Sequence, residues 1–363
     1  MNIVHLNLSG GFGGIETLMR DIARISKHNN IFYFLFEGGA IANEIEKAGN
    51  LVHYENDKGL SFEKSAKKFL HFCREQEADV IICHTGAPII RYILSYTKKH
   101  YKKAKYLLYL HSNASFNIYP NKTKEIFNRY LIKKAHRSCD KAVAISQSVK
   151  DSFVKIYGFN PDKVKVVYNG INYDKFYTDR LNKAEDKLNI VYVGRILSAK
   201  GIHVLIGAIN LCKNKENIRL TIVGPDDNSY AEKMKERAGS LGLNEIITFT
   251  GAKNNIPDIL AKNDLFIHPA ICEEGFGITL AEAMAAYLPC IAFNKGAIPE
   301  IIDNNINGFI VDKADKEHLA EAIDRAYALY GTQEYDNMRK NAHKKAENFR
   351  IENVVEKLES LYR

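Results

Sequence analysis

The chain has 363 residues, 46% of them apolar and 26% charged, with a formal net charge of +8. That composition excludes a disordered chain, and the length suits two domains of ordinary size. The sequence runs straight into alternating apolar positions with no basic leader and no run of 18 apolar residues, so the expected location is the cytoplasm, without a membrane span.

Short apolar runs alternate with amphipathic stretches of helical length, the pattern of parallel sheets with crossover helices. In the first half the spacing predicts strands over 3–8, 31–36, 80–83, 106–110, 142–145 and 164–167, with helices over 15–26 and 62–75 resting on them. After Asn169-Gly170 a polar stretch over 172–186 reads as an interdomain hinge. The rhythm then restarts with strands over 188–193, 220–223, 246–249, 265–268, 290–293 and 309–311, and a last helix over 351–361. The expected architecture is α/β: a Rossmann-like domain over 1–169, a second over 170–348, and a C-terminal helix, 349–363, crossing back to the first. Ligands of doubly wound sheets sit beyond the carboxyl ends of the strands, so two such halves are expected to face each other across a cleft.

The positive charge is uneven. Residues 1–170 hold 26 Lys/Arg against 15 Asp/Glu, and within 91–141 there are 13 against two, interleaved with Tyr96, Tyr101, Tyr106, Phe127 and Tyr130. A basic, aromatic-flecked segment suits an anionic membrane surface or a lipid-linked acceptor better than nucleic acid, or is a solvated helix face. Six cysteines without a C-x-x-C pair argue against a disulfide framework or structural zinc and read as small buried apolar residues.

The motifs follow the strands. Gly10-Gly11-Phe12-Gly13-Gly14 leads into a helix, where glycines let backbone approach phosphate oxygens, but the dinucleotide fingerprint is unmet because Glu16 occupies its last glycine position. Gly194-Arg195 and Lys200-Gly201 put a guanidinium fork and an ammonium after a strand, where together they neutralise a pyrophosphate. The most specific arrangement is Glu274-Gly275-Phe276-Gly277-Ile278-Thr279-Leu280-Ala281-Glu282: two carboxylates eight residues apart across a Gly-rich turn into a helix. The helix start suits a diphosphate, Glu282 can accept from ribose hydroxyls, and Glu274 is expected to be free to meet a sugar. No Asp-x-Asp occurs, so no metal-holding pair of that kind is present and metal-independent chemistry is expected.

In these motifs the chain resembles glycosyltransferase family 4, retaining enzymes of GT-B fold acting in bacterial surface-polysaccharide and lipopolysaccharide synthesis. Gly13-Gly14-Ile15-Glu16, Asn169-Gly170-Ile171-Asn172 with Phe176, Gly194-Arg195/Lys200-Gly201, Gly224-Pro225-Asp226, the E-x7-E pair and Gly296-Ala297-Ile298-Pro299-Glu300 occur in the family's order. Ala297 and Ala270 depart from its usual glycine and serine. The resemblance implies that Arg195 and Lys200 hold the diphosphate, Glu282 the ribose, and Glu274 with the Gly275 to Thr279 backbone the sugar and phosphate. Gly13, Gly14, Gly194, Gly224 and Lys253 would complete the donor site, and His111 would approach the sugar. The expected partners are a nucleotide-sugar, first a UDP-hexose, and a glycan or lipid-linked acceptor; no cofactor is expected. A sugar-nucleotide epimerase of the same fold and a non-catalytic sugar-binding protein are the competing readings.

Overall fold

The computed structural model describes the chain except residues 12, 57, 58, 178–185, 227 and 228. It divides into two compact units: Met1–Gly170 with Ile351–Arg363, and Ile171–Arg350.

The first unit is built on seven parallel strands: β1 (Asn2–Asn7), β2 (Asn29–Phe34), β3 (Leu51–Tyr54), β4 (Val80–Thr85), β5 (Lys105–Leu110), β6 (Lys141–Ala144) and β7 (Val164–Val166). Their order is β3-β2-β1-β4-β5-β6-β7. The central strands are near-continuous apolar runs because helices cover both faces. β3 escaped the sequence reading because it is four residues long, includes a histidine and buries none of them; Leu51 is 48% exposed and Val52, His53 and Tyr54 are half-buried. The segment after Arg350 forms a helix, Ile351–Glu359, and a 3-10 turn, Ser360–Tyr362, shorter than the expected helix. It buries Ile351, Val354, Val355 and Leu358 at helical spacing, and Glu359 accepts from Ser26 Oγ at 2.6 Å.

The second unit has six parallel strands: β8 (Leu188–Val193), β9 (Ile218–Val223), β10 (Ile247–Gly251), β11 (Leu265–His268), β12 (Cys290–Phe293) and β13 (Gly308–Val311), in the order β10-β9-β8-β11-β12-β13. The strand order reverses between β1 and β4 in one unit and between β8 and β11 in the other, the places where such sheets leave a crevice. Of the expected hinge, Asn172 caps a one-turn helix, Tyr173–Phe176, and 178–185 lie outside the described residues. Five of the six cysteines are buried and all are free.

Candidate active site

In the second unit the motif residues gather at the switch point. Beyond β8, Gly194 donates its amide to Val223 and Ile196 donates to Pro225, so the Gly194-Arg195 turn leans on the Gly224-Pro225 turn after β9. Tyr192 Oη holds the Arg195 carbonyl at 2.8 Å, while the Arg195 side chain is exposed and makes no hydrogen bond or ion pair among the described residues. Lys200 closes a 3-10 turn, Ser198–Lys200, and Gly201 at φ 72° starts the helix Ile202–Leu211. A Cβ on Gly201 would lie 1.8 Å from the Pro269 carbonyl, so this glycine is what lets the Lys200 turn sit against the chain leaving β11.

That contact brings three side chains together. Glu274 Oε2 lies 2.8 Å from Lys200 Nζ and 2.9 Å from Nε2 of His268, the last residue of β11. Glu274 is thus not free, contrary to the expectation from its place ahead of the turn; the Gly-rich loop folds it back onto the lysine. Burial alone would raise its pKa, but the His268 hydrogen bond and charge and the Lys200 ammonium more than offset this and hold it down at about 2. Its Oε1 makes no hydrogen bond among the described residues. The Glu274 carbonyl accepts from Ala297 at 2.9 Å, and Gly296, at φ 58°, would place a Cβ 2.1 Å from it.

Past Glu274 and Gly275, Phe276 is buried edge-on against Phe349, with ring centroids 5.1 Å apart, which pins the loop. Gly277 at φ 84° caps the helix Ile278–Ala285. The amides of Ile278 and Thr279 make no hydrogen bond among the described residues and are available, with the helix dipole, to an anion. Glu282 is half-buried in this helix, and Lys253 stands exposed beyond β10. No group of three His, Cys, Asp or Glu side chains suited to a metal occurs among the described residues.

In the first unit Gly13 caps the helix Gly14–Ile25, and Glu16 folds back to accept from Asn7 Nδ2 at 2.8 Å. His111, two residues from Tyr109 and stacked on it at 4.4 Å, places Nε2 3.0 Å from Nδ1 of the buried His84. Burial pushes the His111 pKa down to about 3. Sequence reasoning singled out neither His268 nor His84 nor His5; the usable signal was a lone polar residue inside or at the carboxyl end of an otherwise apolar strand.

Two doubly wound parallel sheets, with a paired lysine and glutamate, an exposed arginine and a helix start at the carboxyl ends of one of them, define an α/β protein of the GT-B class. Solved structures agree on the fold: a glycosyltransferase from Rickettsia africae superposes with a TM-score of 0.86 at 24% identity over 99% of this chain and 97% of that one. HepE of Anabaena in complex with UDP does so at 0.87 and 22% identity over 99% of both.

The sequence model of "Glycosyl transferases group 1" matches residues 174–345 and that of "Glycosyltransferase Family 4" matches 12–175; the chain belongs to this glycosyltransferase family. An uncharacterised glycosyltransferase of Methanocaldococcus jannaschii is 27% identical over 78% of this chain and 75% of its own length. The capsular polysaccharide biosynthesis glycosyltransferase CapM of Staphylococcus aureus is 32% identical over 65% of each chain. The O-antigen chain mannosyltransferase RfbU of Salmonella typhimurium is 27% identical over 60% of this chain and 62% of its own, so for these two the match spans just under two thirds of the relative.

Proposed function

We propose that this chain is a retaining, metal-independent hexosyltransferase that moves a sugar from a UDP-sugar to a glycan or lipid-linked acceptor in the synthesis of lipopolysaccharide, capsule or another surface polysaccharide. The observation that carries it is the Lys200–Glu274–His268 cluster with the exposed Arg195 and the amides of Ile278 and Thr279, which have no partner among the described residues. Breaking a sugar–diphosphate bond develops negative charge on the leaving phosphate, and fixed cations and helix-end amides stabilise that charge where it forms. Glu274 keeps Lys200 in place until the phosphate arrives, and its Oε1, which has no partner among the described residues, suits a sugar hydroxyl. Glu282 is assigned the ribose, and His111 and Gly14 of the first unit the sugar and diphosphate. HepE has been crystallised with UDP and with UDP-glucose, which favours this donor class, and RfbU and CapM bear O-antigen and capsule names, which favours this acceptor class.

The test is binding and turnover of UDP-, GDP-, ADP- and dTDP-sugars in EDTA by wild type, Glu282→Ala and Lys200→Ala. One donor bound tightly, lost in both variants and indifferent to EDTA, is the expected result. A strict metal requirement defeats the proposal, as does epimerised nucleotide-sugar as the only product.

The same reading places the protein at the inner face of an anionic membrane. Not all of the basic 91–141 segment is surface: Arg91 is buried, bonded to Asn128 Oδ1 at 2.6 Å and to the Gly86 carbonyl, and Lys98 pairs with Asp140 at 2.7 Å. What remains outward is a mixed patch of Phe116, Ile118, Ile126, Phe127 and Tyr130, from 46% to 71% exposed, beside the exposed Lys122, Lys124 and Lys133. Apolar side chains set among lysines are the surface that enters an anionic headgroup layer. No helix among the described residues is long and apolar enough to cross a membrane.

A further inference from the structure

Three imidazoles and a carboxamide form a row across the first sheet. Asn30 on β2 stands opposite Ile3; His5, two residues beyond Ile3, stands opposite Ile82; His84, two beyond Ile82, stands opposite Tyr109; His111 is two beyond Tyr109. A step of two residues per strand keeps all four on one face and climbs toward the carboxyl ends of the strands. The first three are buried, with at most 1% of their surface exposed, and His111 is half-buried. Asn30 Oδ1 meets His5 Nε2, His5 Nδ1 meets His84 Nε2, and His84 Nδ1 meets His111 Nε2, each at 3.0 Å.

The row has a direction. Asn30 Nδ2 donates to the backbone carbonyl of His28 at 3.0 Å, and a carbonyl can only accept, so the amide oxygen faces His5. His5 must then carry its proton on Nε2 and offer a lone pair at Nδ1. His84 donates to that lone pair from Nε2, and His111 donates in turn to His84. Burial pushes His5 down to about 4, His111 to about 3 and His84 well below the ordinary histidine range, so all three rings are neutral near pH 7. The row therefore ends in a lone pair on His111 Nδ1, which makes no hydrogen bond among the described residues.

We propose that Asn30, His5 and His84 are positioning residues that fix His111 as a hydrogen-bond acceptor, its Nδ1 receiving a hydroxyl of the donor hexose. This rests on the assignment of His111 to the sugar made above. A row that served only the core would hold the rings in place without regard to which nitrogen His111 presents.

Nitrogen-15 spectra of the full chain labelled in its imidazoles read the tautomers directly and need no ligand. The expected result is the Nε2-protonated form at His5, His84 and His111; a protonated Nδ1 at His111 overturns the proposal. The second arm compares wild type with Asn30→Leu, nearly the same size, in binding UDP and UDP-glucose, UDP-galactose and UDP-N-acetylglucosamine. Loss of one neutral hydrogen bond predicts about two- to tenfold weaker binding of the UDP-sugar that wild type prefers, with UDP unchanged. Equal loss for UDP and UDP-sugar, or no loss for either, overturns it. Should wild type bind none of these while His111 shows the expected tautomer, the donor assignment fails and the polarity of the row stands.

Discussion

Arg195 and Lys200 carry the same charge on one loop, yet their surroundings differ, and so do the expected consequences of removing them. Arg195 has no ion pair among the described residues, so Arg195→Ala is expected to weaken donor binding while leaving stability within about 0.5 kcal/mol, checked by urea titration beside donor binding. Lys200→Ala strips a partner from the half-buried Glu274, so it is expected to cost stability as well as about 10²- to 10³-fold in turnover. Equal stabilities for the two variants would show that the ion pair has no structural role.

Glu274 gives a pH signature. Its folded-state pKa lies near 2 against an ordinary value of 4.5, so its contribution is complete above the ordinary value and is lost as pH falls through the folded one. That contribution is on the order of 3 kcal/mol. The stability gap between wild type and Glu274→Gln is thus expected to be widest above about pH 5 and to close toward pH 2. Urea midpoints of both at several pH values measure it, and a gap independent of pH would mean the carboxylate charge is not what stabilises.

At the scale of elements, two glycines set where the charged turns can lie. Gly201 and Gly296 both have left-handed backbones, and a Cβ on either would overlap a carbonyl, that of Pro269 or of Glu274. Gly201→Ala and Gly296→Ala are each expected to destabilise by more than about 2 kcal/mol and to lower turnover, because neither turn can be built without shifting Lys200 or Glu274. A variant with wild-type stability and turnover would contradict this. Elements of this kind were legible to different degrees. β8, β11 and β12 follow from short apolar runs bounded by glycine or proline signals, and the helix beginning at Ile278 from the Gly-rich turn ahead of it. β3 did not, since its four residues include a histidine and none of them is buried. The Lys200–Glu274 pair was hidden for another reason: the two lie 74 residues apart, and only the packing of the Lys200 turn on the chain after β11 joins them. The histidine row needed the strand order itself, which no local pattern encodes.

For the molecule as a whole, net charge overstated the basic surface, since charges such as Arg91 were spent inside. Binding to vesicles containing anionic lipid is expected to fall steeply with salt and with the double reversal Lys122→Glu/Lys124→Glu, and to fall again when Ile126 and Phe127 become Ser. Equal binding to neutral vesicles would remove the membrane from the proposal. The charge asymmetry between the halves was legible in the sequence, whereas the placement of apolar side chains at 116–130 required the structure, because those residues read equally well as a buried helix face.

The first unit is closed by residues that the ribosome makes only after the whole of the second. Until Ile351–Arg363 emerges, Ser26 and His28 lack Glu359, Lys141 lacks the Leu361 carbonyl, and the apolar stripe of Ile351 to Leu358 has not yet covered its seat. At ordinary synthesis rates of about 5–20 residues per second that interval lasts roughly 10 to 40 s. A nascent chain stalled anywhere in the second unit therefore displays an unfinished first one, a surface that chaperones and proteases recognise and that the finished enzyme no longer shows.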